Sequence, residues 1–155
     1  MSDKTCDHIS VGMIVEKGGK ILLIERKKFP FGMAPPAGHV DGDESYEIAA
    51  RRELKEEVGL GVTRLELLWE GKKENSCRRK DGTWHYWKVY GAEVEGDIET
   101  SDEEVKRFGW YDSEQIEKLL ERTNRYRKGE ISDEEWEERP GVELVWAELI
   151  GEIIK

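Results

Sequence analysis

The chain has 155 residues and a formal net charge of −10, with 37% hydrophobic and 39% charged residues. That length suits one domain, residues 1–155, with a real core, and six Trp, five Tyr and three Phe are too many large anchors for a disordered chain. Its apolar runs are too short to span a bilayer, and no basic-then-apolar start marks a signal peptide. The acidic excess disfavours binding of duplex nucleic acid, so the expectation is a soluble cytoplasmic protein acting without a membrane or a duplex as partner.

The charge is unevenly placed. Residues 1–94 carry 16 acids and 16 bases, whereas 95–155 carry 19 acids and 9 bases, so the acidity belongs to the C-terminal part. Two cysteines, Cys6 and Cys77, are too few for a secreted disulfide framework and fit a reducing compartment.

In chain order, residues 9–16 and 20–26 are β-branched and apolar, and Lys17-Gly18-Gly19 between them predicts a β-hairpin. Residues 27–43 hold three of the four prolines together with Gly32, Gly38 and Gly42, which reads as a long ordered loop. From Asp43 or Glu44 to Val58 the pattern predicts a helix, with Gly59 at the left-handed stop. Strands are expected at 62–70 and 84–94. In the second, His85, Trp87, Val89 and Gly91 share one face while Trp84, Tyr86, Lys88 and Tyr90 share the other. A short strand at 107–111 leads to an N-cap at Asp112 or Ser113, then helices at about 113–128, 132–138 and 142–154.

The 43–58 helix carries the chemical signal. At 100° per residue, Glu53, Glu56 and Glu57 fall on one arc, with Leu54 and Val58 on the adjoining core-facing arc. Bathed in water, such a stripe costs only a few tenths of a kcal/mol per pair. Under a covering loop each pair would repel by roughly 3 kcal/mol, taking ~6 Å separation and an effective dielectric of about 20, and a divalent cation would offset that. Hard carboxylate oxygens suit Mg²⁺ or Mn²⁺, whose remaining positions go to water and substrate phosphate.

Gly38, five residues, Glu44, seven residues, then Arg52-Glu53-Leu54-Lys55-Glu56-Glu57-Val58-Gly59-Leu60 matches at every position the box G-x5-E-x7-R-E-U-x-E-E-x-G-U, where U is a bulky aliphatic. On these 23 residues the chain resembles the Nudix hydrolases. The resemblance implies an α/β/α sandwich around a mixed sheet, and hydrolysis of a diphosphate bond in a small nucleotide substrate with Mg²⁺ or Mn²⁺ as cofactor. It makes Glu53, Glu56 and Glu57, with the Gly38 carbonyl, the metal ligands. Arg52 becomes the residue orienting a neighbouring glutamate, and Glu44 and Gly59 structural members of the box. By the same resemblance the general base would be Glu53 or a glutamate of the loop before Trp110, Glu103 or Glu104.

Further candidates stand outside the box. Arg26, Lys27 and Lys28 enter the loop beside the proposed site as phosphate contacts, whereas Arg78, Arg79 and Lys80 read as a solvated hairpin tip. Phe31, Met33, Trp69, Trp84 and Trp87 could stack a base, and His39, next to Gly38, could hydrogen-bond substrate. Trp136 and Trp146 read as packing for the late helices or a dimer contact, so either a monomer or a homodimer fits. Cys6, His8, Cys77 and His85 would make a four-ligand zinc set if the two ends meet, although Cys-x-His and Cys-x7-His are unlike the usual short knuckles. Within the family, no proline stands between Pro36 and Pro140 to support the ADP-ribose branch. The segment marking coenzyme A hydrolases is not evident in 20–37, and no tyrosine occupies 76–78 as in the diadenosine-polyphosphate branch. A MutT-type hydrolase of nucleoside triphosphates is the favoured expectation. Nucleoside-diphosphate sugars come next, then the triphosphate end of RNA, with a non-catalytic nucleotide-binding regulator last.

Overall fold

A computed structural model describes residues 4–43 and 45–154. Alternating apolar residues build strands β1 (Ile9–Ile14), β2 (Glu16–Lys17) and β3 (Lys20–Arg26), followed by the short β4 (Met33–Ala34) and β5 (Ala37–His39) within the proline-rich loop. Helix α1 (Tyr46–Val58) leads to the long strands β6 (Gly61–Lys73) and β7 (His85–Glu95), then β8 (Val105–Tyr111). Three helices close the chain: α2 (Ser113–Arg127), α3 (Asp133–Glu138) and α4 (Leu144–Ile153).

The strands form a mixed four-stranded sheet in the order β5-β1-β7-β6 and a second, antiparallel sheet in which β3 pairs with β2, β4 and β8. Strand β1 runs parallel to β7 and antiparallel to β5, with Val11 opposite Gly38. The expected 9–26 hairpin is therefore corrected. Only Glu16–Lys17 pairs with the start of β3, and the chain changes sheets near Val15, whose carbonyl still accepts from Leu22 N–H at 2.9 Å.

Helix α1 covers one face of the mixed sheet, where Ala49, Ala50, Leu54 and Val58 pack with Val11, Met13 and Tyr90. Helices α2 and α4 cover the other, where Ile116, Val145, Trp146 and Leu149 pack with Trp87 and Val89. The result is the expected α/β/α sandwich with a mixed sheet, and residues 85–91 divide between the faces as their alternation predicts. Trp146 is fully buried, edge-on to Trp87 with ring centroids 5.5 Å apart, and its indole lies over Gly12, where a Cβ would overlap it. Trp136 stacks on Tyr126 at 4.2 Å.

Helix α1 starts later than expected. Ser45, in extended backbone, is the N-cap and its hydroxyl accepts from Ile48 N–H, so Asp43 lies outside the helix. Gly59 ends it as expected, at φ 75° with its N–H on the Lys55 carbonyl. Helix α2 begins with a full capping box between Asp112 and Gln115. No helix among the described residues is long and apolar enough to cross a membrane.

Candidate active site

The loop that precedes α1 folds back over the helix's acidic arc, and its backbone is held there by the acids themselves. Glu57 is buried, and one of its oxygens accepts from Ala37 N–H at 3.0 Å. Glu53 lies against Gly38, where any Cβ would overlap the carboxylate, so the box demands glycine for space at this position. Glu56 points into the open, its side chain 61% exposed. The three acids thus share an arc, as their spacing predicts, but span the whole range from buried to solvated.

Arg52 ties the arrangement together. Its guanidinium donates to Asp43 (2.9 Å), Glu53 (2.7 Å) and Glu56 (3.2 Å), and to the backbone carbonyl of His39 (2.8 Å). A planar fork with several donors suits this task, and it links the loop carbonyls to two of the acids. Glu44, assigned by the box to the same stitching, lies outside the described residues.

Burial pushes the Glu57 carboxyl up to about 8 from an ordinary 4.5, with Arg26 pulling the other way. Burial likewise raises Glu53 to about 7, opposed by Arg52. Carboxyls packed this closely in a dry place are costly to ionise without a cation, so the donor set fits a hard divalent ion held by Glu53, Glu56 and Glu57 with the Gly38 carbonyl at hand. A pH effect follows. In the metal-free fold both groups keep protons that the unfolded chain releases, so their contribution to stability is full below about pH 4.5 and is lost as pH rises through about 7 to 8. Thermal denaturation in a chelator should show the melting temperature falling across that window, and millimolar Mg²⁺ should restore it most at the alkaline end. A Mg²⁺ benefit independent of pH would contradict the assignment.

A cleft of about 590 Å³ is lined by the three acids together with Arg26, Phe29, Arg78, Arg79 and Glu104, among others. Lys28 and Arg78 approach Glu104 at 3.6 and 3.9 Å, and Lys27 is turned outward to the Asp102 carbonyl. The 78–80 cluster is therefore not simply a solvated tip: Arg78 and Arg79 face the cleft, and Arg79 is paired with Asp41. Phe29, 48% exposed at the cleft, is better placed to meet a base than Met33, which is core, or Trp84, whose ring stacks on His8 at 4.0 Å. Trp87 is a buried wall, its indole N–H on Asn75 at 3.2 Å. Sequence reasoning missed Glu143, which reads as an ordinary helix-start acid. Near the α4 N-terminus it is buried in the cleft, 3.9 Å from Arg26, and burial raises it to about 7.

His39 lines the same cleft, next to Gly38. Burial, reinforced by Arg79, lowers it to about 4, and its Nε2 lies 3.5 Å from Cys6 Sγ. Cys77 and His85 join the same group, whereas His8 does not, because its Nδ1 is engaged at 2.9 Å by the Trp84 carbonyl. The four residues brought together are Cys6, His39, Cys77 and His85, which corrects the expected membership of His8.

The model of the NUDIX domain family matches residues 7–133. The chain belongs to this family and is a hydrolase acting on diphosphate bonds. Among relatives, it is 50% identical over 54 residues to the ADP-ribose pyrophosphatase of Methanocaldococcus jannaschii, a match spanning 34% of this chain and only 32% of that protein. It is 30% identical over 132 residues to the RNA pyrophosphohydrolase of Pelagibacter ubique, covering 71% of this chain and 79% of the other. Among solved structures, the MutT NUDIX hydrolase of Burkholderia pseudomallei superposes with a TM-score of 0.58 at 28% identity, over 71% of this chain and 84% of that one.

Proposed function

We propose that the protein is a Mg²⁺-dependent pyrophosphohydrolase of nucleoside triphosphates, releasing a nucleoside monophosphate and diphosphate. One observation carries this reading: three carboxylates, Glu57 buried, Glu53 half-buried and Glu56 exposed, share one cleft with Arg26 and Arg78, and Lys28 reaches the cleft-lining Glu104. A polyphosphate chain with its cation is the kind of ligand that satisfies both the acids and the bases. Similarity to a protein described as a MutT NUDIX hydrolase supports the choice.

A divalent ion bound by Glu53, Glu56 and Glu57 supplies neutralisation of the diphosphate oxygens and a more acidic bound water. The remaining work falls to the chain itself. Arg52 positions Glu53 and Glu56, Arg26 and Lys28 hold phosphate oxygens, and the exposed ring of Phe29 offers a face for the base. Glu104 is assigned as the proton acceptor. It lines the same cleft as the acid helix with only two loose ion pairs, while Glu53 and Glu57 are needed as ligands. Glu104→Gln should lower kcat roughly 10²-fold with KM changed little. An unaltered kcat would return the role to Glu53.

The triphosphate end of RNA is the second reading, because Arg78, Arg79 and Lys4 also line the cleft and the Pelagibacter relative spans most of the chain. Assays with Mg²⁺ or Mn²⁺ on deoxynucleoside and nucleoside triphosphates, 5′-triphosphate RNA, ADP-ribose and nucleoside-diphosphate sugars separate the readings by product. Fast release of diphosphate from free nucleotides is expected. Activity confined to RNA, or to the diphosphate-linked substrates, would overturn the proposal.

A further inference from the structure

We propose that Cys6, His39, Cys77 and His85 form a structural zinc site that fastens the N-terminal segment and the 75–84 loop to the glycine strand of the Nudix box. Their nearest ligand atoms lie within 4.8 Å of one another. Cys6 Sγ is 3.3 Å from His85 Nε2 and 3.5 Å from His39 Nε2. With Zn–S near 2.3 Å and Zn–N near 2.0–2.1 Å, the edges of a tetrahedron are about 3.5 Å, so only small shifts separate this arrangement from a loaded centre.

The surroundings are those of a metal centre and not of four residues that happen to meet. Each sulfur accepts a backbone N–H from two residues onward, His8 to Cys6 at 3.2 Å and Arg79 to Cys77 at 3.4 Å. Such N–H···S bonds give each sulfur the backbone partner that the outer layer of a metal centre supplies. The tautomer of His85 is fixed independently. Asn75 Oδ1 lies 3.2 Å from the Trp87 indole N–H, a group that only donates, so the atom is the amide oxygen. His85 Nδ1, 3.1 Å from the same oxygen, must then carry a proton, and Nε2 presents its lone pair to Cys6. A ligand histidine whose other nitrogen is held by an acceptor is the usual second layer of such a site.

Backbone pairing brings the pieces together before any ion binds. Cys6 N–H donates to the Lys80 carbonyl at 2.8 Å, and Cys77 N–H to Gly82 at 2.8 Å. A Cβ at Gly82 would overlap Cys77 Sγ, so the turn leaves room for the sulfur only because residue 82 is glycine. Loading ionises two S–H bonds and forms two Zn–S and two Zn–N bonds, with both protons leaving to solvent. Two thiolates cancel the charge of the ion, so the centre is neutral beside the carboxylates. Donor chemistry keeps the two sites apart, sulfur and imidazole selecting zinc and carboxylate oxygen selecting magnesium. Four protein ligands leave no open position, which makes the role structural, and His39 carries the restraint to Gly38 and hence to Glu53.

The test uses the full chain produced in zinc-supplemented medium and dialysed without chelator. Elemental analysis should find about one zinc per chain, released when the thiols are titrated with an organomercurial. Zinc content should fall roughly tenfold or more in Cys77→Ser and in His39→Asn, and persist in His8→Ala and Glu57→Gln. Should the variants fold poorly, titrating the metal-free wild-type chain with Co²⁺ should give the intense visible bands of a tetrahedral thiolate complex, undiminished by excess Mg²⁺. The proposal is overturned by wild-type protein that takes up no zinc, by zinc retained in Cys77→Ser but lost in Glu57→Gln, or by a Cys6–Cys77 disulfide in protein kept under inert gas.

Discussion

Glu57→Gln should lower Mg²⁺-dependent turnover by about 10³-fold or more while the metal-free protein becomes more stable at alkaline pH. Both halves come from burial. Gln keeps an oxygen for Ala37 N–H, so the loop stays where it is, but it supplies no charge to a cation. Without the cation, the wild-type carboxyl is forced to ionise in a dry site above about pH 8, and each unit of displacement from its ordinary value corresponds to about 1.4 kcal/mol. Removing that burden should raise stability in a chelator at pH 9 by on the order of 2–4 kcal/mol, an effect that disappears near pH 5, where Glu57 is protonated. Chemical denaturation at both pH values, alongside turnover, checks this. Near wild-type activity would remove Glu57 from the ligand set.

The second large effect is expected at Arg52. Lysine preserves the charge but cannot reach Asp43, Glu53, Glu56 and the His39 carbonyl together, because one ammonium replaces a five-donor fork. Arg52→Lys should cost roughly 10²-fold in kcat and about 1–3 kcal/mol in stability. A residue that merely supported the fold would leave the metal dependence alone. Here the Mg²⁺ concentration for half-maximal activity should rise about tenfold, because Glu53 and Glu56 lose the donor that fixes them. An unchanged Mg²⁺ requirement in a variant that has lost activity would show that Arg52 acts only through folding.

Much of the site was readable in the sequence because one helix carries it. Periodicity places Glu53, Glu56 and Glu57 on a shared arc, and Gly59 marks the helix end, as the structure bears out. What the pattern could not supply is depth. Nothing local distinguishes buried Glu57 from solvated Glu56, since their difference is made by a loop arriving from residues 30–40. The helix start was misplaced for a related reason: Asp43 and Glu44 both suit a first turn, and only the Ser45 hydroxyl on Ile48 N–H sets the beginning later. Strands β1 and β3 look like hairpin partners by composition, yet sheet membership depends on β7, more than sixty residues away, which pairs parallel to β1. The exchange of His8 for His39 in the cysteine cluster has the same origin, as the topology folds β5 against β1 and turns the ring of His8 onto Trp84.

The family match stops at residue 133, but the architecture of the cleft does not. Met33 N–H donates to the Gly141 carbonyl at 2.8 Å, Glu143 N–H donates back to Met33 at 2.9 Å, and the α-carbon of Gly32 is seated against the Glu143 backbone with no room for a side chain. The terminal helix is thus a keystone wedged behind the loop that roofs the acids. A minimal fragment trimmed to the recognised boundary would keep every glutamate of the box and still lose the masonry that aims them.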